Sequence, residues 1–217
     1  MKKFIIIGSG NHAMVIASEL LKKKNFLGFI DNKKTKISKQ FKKYYLGNID
    51  YFKSKKSSQY QVVIGIGRGD LRSKIVKKIK KKKIKINWGI FISDKALVMP
   101  NVKIGEGSVI LKGSIINNNC ELGKHCHLNT RTILDHDNIF KDYTGTGPGV
   151  ITGGNVKVGF ESFIGIGSTV KNNIKIDSQT VIGSGSVVVK NTKKKSIYFG
   201  NPAKFKRLKK NNENYLK

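Results

Sequence analysis

VMPNVKIGEGSVILKGSIINNNCELGKHCHLNTRTILDHDNIF, residues 98–140, decides the fold of this 217-residue chain. Taken six residues at a time, it gives Val98, Ile104, Ile110, Ile116, Leu122, Leu128, Leu134 and Phe140. The same frame continues through Thr146, Thr152, Val158, Ile164, Val170, Ile176, Ile182 and Val188. Fourteen of these sixteen positions are aliphatic or aromatic, and glycine follows Ile104, Leu122, Ile164 and Ile182. A helix would repeat every three to four residues. A period of six belongs to a parallel β-helix, in which short strands and turns wind about an apolar axis. With three sides to each coil, the span from 98 to 188 holds about five coils, bonded one to the next through their backbones.

The chain ahead of the repeat reads differently. Phe4 to Ile7 is a short buried strand, GSGNHA follows at 8–13, and Ala13, Ala17, Leu20 and Leu21 mark the packed face of a helix. Leu27 to Ile30 is a second strand ending at Asp31; Gln61 to Ile66 is a third, leading into GIGRG and a helix from about Asp70 to Lys82. Strands alternating with helices imply a small parallel sheet. Gly8 and Gly10 allow a tight turn whose N–H groups face a diphosphate at a helix N-terminus, and Asp31 stands where it can accept hydrogen bonds from a ribose or base. Three or four strands are about half a dinucleotide fold, which is enough for one nucleotide. No second catalytic domain follows, so nicotinamide chemistry is the weaker expectation. His12 reads equally as a phosphate contact and as a solvent-facing helix residue. Arg68 and Arg72 follow the third strand, where they can pair with phosphate or simply lie at the surface.

The formal net charge is +30, but the lysines are spread along the whole chain. Such a surface attracts any polyanion, nucleotide sugars and coenzyme A included, and singles out no specific nucleic acid. No apolar run reaches bilayer length, and MKKFIIIGSG has too short an apolar core for a secretory signal, so a cytoplasmic protein with no membrane insertion is expected. Cys120 and Cys126, six residues apart on adjacent sides of a coil, read as free thiols, and no metal is expected.

Residues 129–154, NTRTILDHDNIFKDYTGTGPGVITGG, break the pattern. The inward positions weaken to Thr146 and Thr152, and an Asp-His-Asp triplet appears at 135–137. One coil of eighteen residues either way sets Asn118 and Gly154 beside His136, with the glycine leaving room for a ligand. Histidine suits proton removal near neutral pH, and a carboxylate can fix its tautomer. In an extended segment Asp135 and Asp137 both point away from the face His136 uses, so a turn, or another coil, must bring a partner to the ring. A polar surface cluster in a turn is the plainer alternative.

GSGNH, the unbroken hexapeptides, NTRTILDHD, GGNVKVG, IGIGS, IGSGS and the closing GNPA at 200–203 together resemble the bacterial sugar O- and N-acetyltransferase family of the left-handed β-helix superfamily. The resemblance covers about Phe4 to Ala203. It implies a Rossmann-like α/β domain with a small parallel sheet over 1–95, a left-handed parallel β-helix over 96–203 and a basic tail over 204–217. It also implies a homotrimer with acetyl-coenzyme A between neighbouring rods. His136 would be the catalytic base, Asp137 its acidic partner and Asn129 a supporting polar group. Gly145, Gly154, Ile166, Gly167 and Gly185 would line the coenzyme groove. Gly8, Ser9, Gly10, Asn11, His12, Asp31, Asn32, Gly67 and Arg72 would hold the nucleotide part of the substrate.

Two departures stand out: the second histidine common nine residues after the first is Gly145 here, and the His-Pro pair before the rod is Ser93-Asp94. The implied activity is acetyl-CoA-dependent N-acetylation of the 4-amino group of a 4-amino-4,6-dideoxy sugar, with UDP the expected nucleotide. Transfer would be direct, within surface glycan biosynthesis. The alternatives are O-acetylation of sialic or related nonulosonic acid, and a non-catalytic trimeric binding protein.

Overall fold

The computed structural model describes residues 3–32, 37–53, 59–211 and 213–215. The chain forms two compact units, Met1–Gly67 with Leu71–Ile90, and Arg68–Asp70 with Phe91–Lys217.

In the first unit, strands β1 (Lys3–Ile7), β2 (Phe26–Ile30), β3 (Tyr45–Gly47) and β4 (Tyr60–Ile64) form a sheet in the order β3-β2-β1-β4, with helices α1 (Asn11–Lys22) and α2 (Gly69–Lys81). Every pairing is parallel. The central strand β1 carries Ile5 and Ile6 with no exposed surface, as expected of a strand covered on both faces. Helix α1 buries Ala13, Ile16, Ala17 and Leu20, an i, i+3, i+4, i+7 stripe in which Ile16 stands in place of the expected Leu21. Gly65 lets α1 approach the end of β4: a Cβ there would stand 2.5 Å from that of Ala13. Strand β3 and the 3₁₀ turns Lys39–Tyr44 and Ile49–Lys53 were not legible beforehand, because their apolar residues, such as the buried Phe41 and Phe52, follow no period.

The second unit is a parallel β-helix built from two-residue strands. Three ladders run its length, and partners lie eighteen residues apart, as in Glu121↔Ile139, Ile133↔Ile151 and Gly145↔Phe163. The second residue of each strand points inward. Ile110, Ile116, Leu128, Leu134, Val158, Ile164, Ile176 and Ile182 have no exposed surface, and Thr146 and Thr152 are buried in the same rows.

A second inward row lies two residues earlier at each corner: Ser108, Ser114, Cys120, Cys126, Thr132, Asn138 and Thr144 are all fully buried. Several of these side chains donate to the carbonyl fifteen residues on, as in Ser108 to Gly123 O (3.0 Å), Ser114 to Asn129 O (3.1 Å) and Ser168 to Gly183 O (2.9 Å). Cys120 and Cys126 belong to this row, with Sγ 3.0 Å from Asp135 O and 3.3 Å from Lys141 O. Small donors at these positions give the turn carbonyls a partner that would otherwise be missing, while Val150, Val156 and Ile174 fill the same row with apolar side chains.

The three faces differ outside. One bears Lys103, Glu121, Ile139, Lys157 and Lys175, with a 2.8 Å ion pair between Lys103 and Glu121. A second bears Phe91, Val109, His127, Gly145, Phe163 and Val181, all buried, with the Tyr215 ring 5.4 Å from that of Phe163. The third bears Leu97, Ile115, Ile133, Ile151, Thr169 and Val187; Leu97 is 54 % exposed and Ile151 44 %. The ladder begins at Phe91–Ile92, ahead of the boundary read from the sequence. It ends in a correction to the expected tail: Lys204–Leu208 is a strand, antiparallel to Ser196–Phe199. The sequence hid it because its residues are all exposed and show no alternation.

Candidate functional site

Each coil turns three corners. The one after the apolar face holds residues 117–120, 135–138 and 153–156 on successive coils. Its third position is left-handed, with φ of 59° at Asn119, 58° at Asp137, 56° at Asn155 and 61° at Asn173, a conformation that Asn and Asp tolerate better than other side chains. This is the turn that the extended reading of the triplet lacked. It swings the Asp137 carboxylate round to the imidazole, leaving Nδ1 of His136 and Oδ2 of Asp137 2.7 Å apart. Asp135 accepts the His136 backbone N–H at 2.9 Å and holds its other oxygen 4.0 Å from Nε2. The hydrogen bond to Asp137, then the nearby charge of Asp135, raises the His136 pKa above the ordinary imidazole value. Asp137 is held below the usual carboxylate range by hydrogen bonds from His136 and Asn119.

The ring itself faces outward, 59 % exposed. Gly154, one coil on, makes room for it: a Cβ there would lie 2.5 Å from Cε1 of His136. Beneath, Asn138 occupies an inward corner position filled on other turns by Ser, Thr, Cys or an aliphatic residue such as Val156 or Ile174. Its Nδ2 reaches the carbonyls of Asp135 (2.7 Å), His136 (3.2 Å) and Gly153 (2.9 Å). One buried amide thus ties the imidazole-bearing turn to the coil above.

The other edge of the apolar face is a different corner. Gly149, Gly167 and Gly185 take its left-handed positions, with φ of 70°, 64° and 66°, and a Cβ on Gly167 or Gly185 would meet nothing within 4 Å. Ile166 beside them is 57 % exposed. Asn129 lies on the same corner, and its side chain accepts the Thr130 N–H at 2.8 Å. The residues expected to share one site therefore divide. His136, Asp137 and Gly154 form one cluster, while Asn129, Ile166, Gly167 and Gly185 flank the far edge of the same face. Gly145 lies apart from both clusters, a buried strand residue on the second face in register between His127 and Phe163.

In the first unit, the C-terminal ends of β1 and β2 open on a cleft of about 150 Å³ lined by Gly8, Asp31, Asn32 and Lys78 among isoleucines such as Ile7, Ile30 and Ile66. Gly8 has φ 96°, and the buried Ser9 hydroxyl donates to Asp31 Oδ2 at 2.6 Å, fixing that carboxylate at the cleft. Gly10 caps α1 with open space where a Cβ would stand, and Asn11 is exposed. His12 is half-buried; burial, then the charge of Arg72, pushes its pKa down to about 4, so the ring is neutral near pH 7. Arg72 has no exposed surface, and its Nη1 donates to the carbonyls of Ile66 and Gly67, which holds the loop after β4. Arg68 pairs with Asp70 at 2.6 Å.

The PglD N-terminal domain family model matches residues 3–79. Among solved structures, PerB from Caulobacter crescentus in complex with CoA and GDP-perosamine is 26 % identical, with a TM-score of 0.84 over 95 % of this chain and 98 % of that one. A mutant of perosamine N-acetyltransferase from the same organism, again with CoA and GDP-perosamine, is 25 % identical, with a TM-score of 0.84 over 95 % and 97 %. The acetyltransferase domain of PglB from Neisseria gonorrhoeae, in complex with acetyl coenzyme A, is 24 % identical, with a TM-score of 0.84 over 94 % and 98 %. Over nearly its whole length the chain is similar to these sugar N-acetyltransferases, and its first third matches the PglD N-terminal domain family.

For a sugar acetyltransferase, the architecture is the one expected from the sequence, a Rossmann-like sheet followed by a left-handed parallel β-helix. Two residues of its imidazole corner escaped the sequence reading, Asn138 and Asn119. The signal for both was present: one is the sole amide in a row of small and aliphatic residues, and the other is one rung of an eighteen-residue column of asparagines.

Proposed function

We propose that this acetyltransferase moves the acetyl group of acetyl-CoA to the 4-amino group of a nucleotide-linked 4-amino-4,6-dideoxy sugar, with His136 as general base. The observation that carries the reading is the outward imidazole of His136, with Nδ1 held on Asp137 at 2.7 Å and the space beside it kept open by Gly154. Because Nδ1 faces a carboxylate, the proton resides there and Nε2 is left to accept one from substrate. As the amine nitrogen attacks the thioester carbonyl carbon, its proton passes to Nε2. The tetrahedral intermediate then collapses with cleavage of the C–S bond, and the coenzyme thiolate leaves and takes up a proton. Cys120 is no rival nucleophile, since burial raises its thiol pKa and its Sγ donates to Asp135 O.

The same reading makes the enzyme a homotrimer. The base and the open glycine corner lie on opposite edges of one face, and that face carries the exposed Leu97 and Ile151. A second copy packed on this apolar face brings the glycine corner of one rod toward His136 of the next, completing a groove for acetyl-CoA. The cleft at Gly8, Asp31 and Asn32 takes the nucleotide. UDP is the nucleotide expected, and the PerB complex with GDP-perosamine makes GDP the first to set beside it.

The test is to incubate the protein with acetyl-CoA and UDP-, GDP- and dTDP-linked 4-amino sugars and follow release of free thiol. Turnover of at least one is expected. Release with sialic acid and with none of the amino sugars would replace the amine acceptor by a hydroxyl.

A further inference from the structure

At the His136 corner, the third position of successive coils reads Asn101, Asn119, Asp137, Asn155 and Asn173, eighteen residues apart, and the last four are left-handed. Most of the column is explained by backbone alone, since asparagine tolerates φ near 60° and stacks amide on amide. Nδ2 of Asn101 donates to Oδ1 of Asn119 at 2.5 Å, and Nδ2 of Asn155 donates to Oδ1 of Asn173 at 2.8 Å. Asp137 is the exception, a carboxylate set in a run of amides.

The planar amide has its acceptor on one side and its donor on the other. Once the Asn119 oxygen is turned toward Asn101, the Asn119 NH₂ group must face the coil that carries Asp137. The backbones are already in contact there, with the Asp137 N–H donating to Asn118 O at 3.0 Å. That amide is thus presented to the Asp137 carboxylate, whose Oδ2 lies 2.7 Å from His136 Nδ1. Asn155, on the other side, directs its NH₂ away to Asn173. Side-chain support for Asp137 within the column therefore comes from Asn119.

We propose that Asn119, oriented by Asn101, is a positioning residue that fixes the Asp137 carboxylate and, through it, the His136 ring for acyl transfer. The inference rests on His136 acting as the base. It assigns a task to a residue that touches neither substrate nor the reacting atoms.

The test compares Asn119→Gly with Asn173→Gly. Glycine suits the left-handed φ at both positions, so each variant deletes only an amide from the same column. Kinetics are measured with acetyl-CoA and whichever nucleotide sugar is turned over, with His136→Ala alongside. In Asn119→Gly, kcat should fall about tenfold with both KM values little changed, the pattern of a lost transition-state interaction. In Asn173→Gly, kcat should stay at the wild-type value. Unchanged kcat in Asn119→Gly while His136→Ala is inactive, or equal losses in the two glycine variants, would overturn the positioning role alone. Near-normal turnover in His136→Ala would remove the base and the relay together.

Discussion

The two edges of the apolar face are built from the same eighteen-residue coil and have become opposites. One corner is crowded with polar groups: an imidazole, two carboxylates and a column of asparagines, braced from inside by Asn138. The other is stripped to Gly149, Gly167 and Gly185, with open space where side chains would stand. A β-helix gives every corner the same backbone, so chemistry and room are allotted by side chains alone. The contrast teaches how the proposed reaction divides: on that reading one edge supplies proton transfer and the other a surface for a ligand to lie on. Neither is sufficient by itself. The most direct way to break this division is His136→Ala, for which kcat should drop by at least about a hundredfold, the usual scale of a lost general base. The oligomer should persist, because the ring is 59 % exposed and no core packing depends on it. Sedimentation alongside kinetics checks both halves.

If the two edges meet only between copies, inactive variants should repair each other. His136→Ala keeps the glycine edge. Gly167→Asn combined with Gly185→Asn keeps the base but fills the open edge with residues that accept a left-handed φ. Each protein alone should turn over poorly. Mixed trimers assembled at equal ratio should recover about a quarter of wild-type activity, because a site is whole only when an intact base meets an intact groove. No recovery in demonstrably mixed trimers would place the site within a single chain. The apolar face can be broken separately. Ile133→Asp, at the centre of the stripe of Leu97, Ile115 and Ile151, should yield a smaller species by sedimentation and lose activity with it.

Much of this was legible in the sequence for a physical reason. A side chain that must fill the axis of a coil recurs at every turn, so Ile104 to Val188 announced the ladder, its register and the eighteen-residue neighbours of His136. What could not be read was anything that depended on which way a turn throws its side chains. From an extended chain, Asp137 points away from His136; the left-handed φ of 58° brings it back. Arg72 has the composition of a phosphate ligand, and its full burial and the bonds from its Nη1 to Ile66 O and Gly67 O could not be read from that composition. Gly145 likewise looks like groove until its ladder partners His127 and Phe163 place it on a covered face. Position along the coil is written in the period, whereas exposure is not.

The finest distinction between the edges is electrostatic. On the His136 side, the hydrogen bond to Asp137 and the charge of Asp135 favour the imidazolium, so the ring should titrate above pH 6.5. A base works only when neutral, so activity should rise with pH through this raised pKa and fall as protons occupy Nε2 below it. Asp137→Asn removes the larger cause and keeps the shape. The pKa should then move down toward the ordinary value, and the acid limb of kcat/KM should move with it to lower pH. The height of the plateau should fall at the same time, because an amide no longer imposes the tautomer that leaves Nε2 as the acceptor. The two effects separate cleanly. An NMR titration of the His136 ring proton, assigned by its loss in His136→Ala, reads the pKa without reference to turnover, and the pH profile reads the rate. A ring in Asp137→Asn that titrates at or above the wild-type pH would show that Asp135 or the backbone sets its basicity. The 2.7 Å contact would then serve orientation alone.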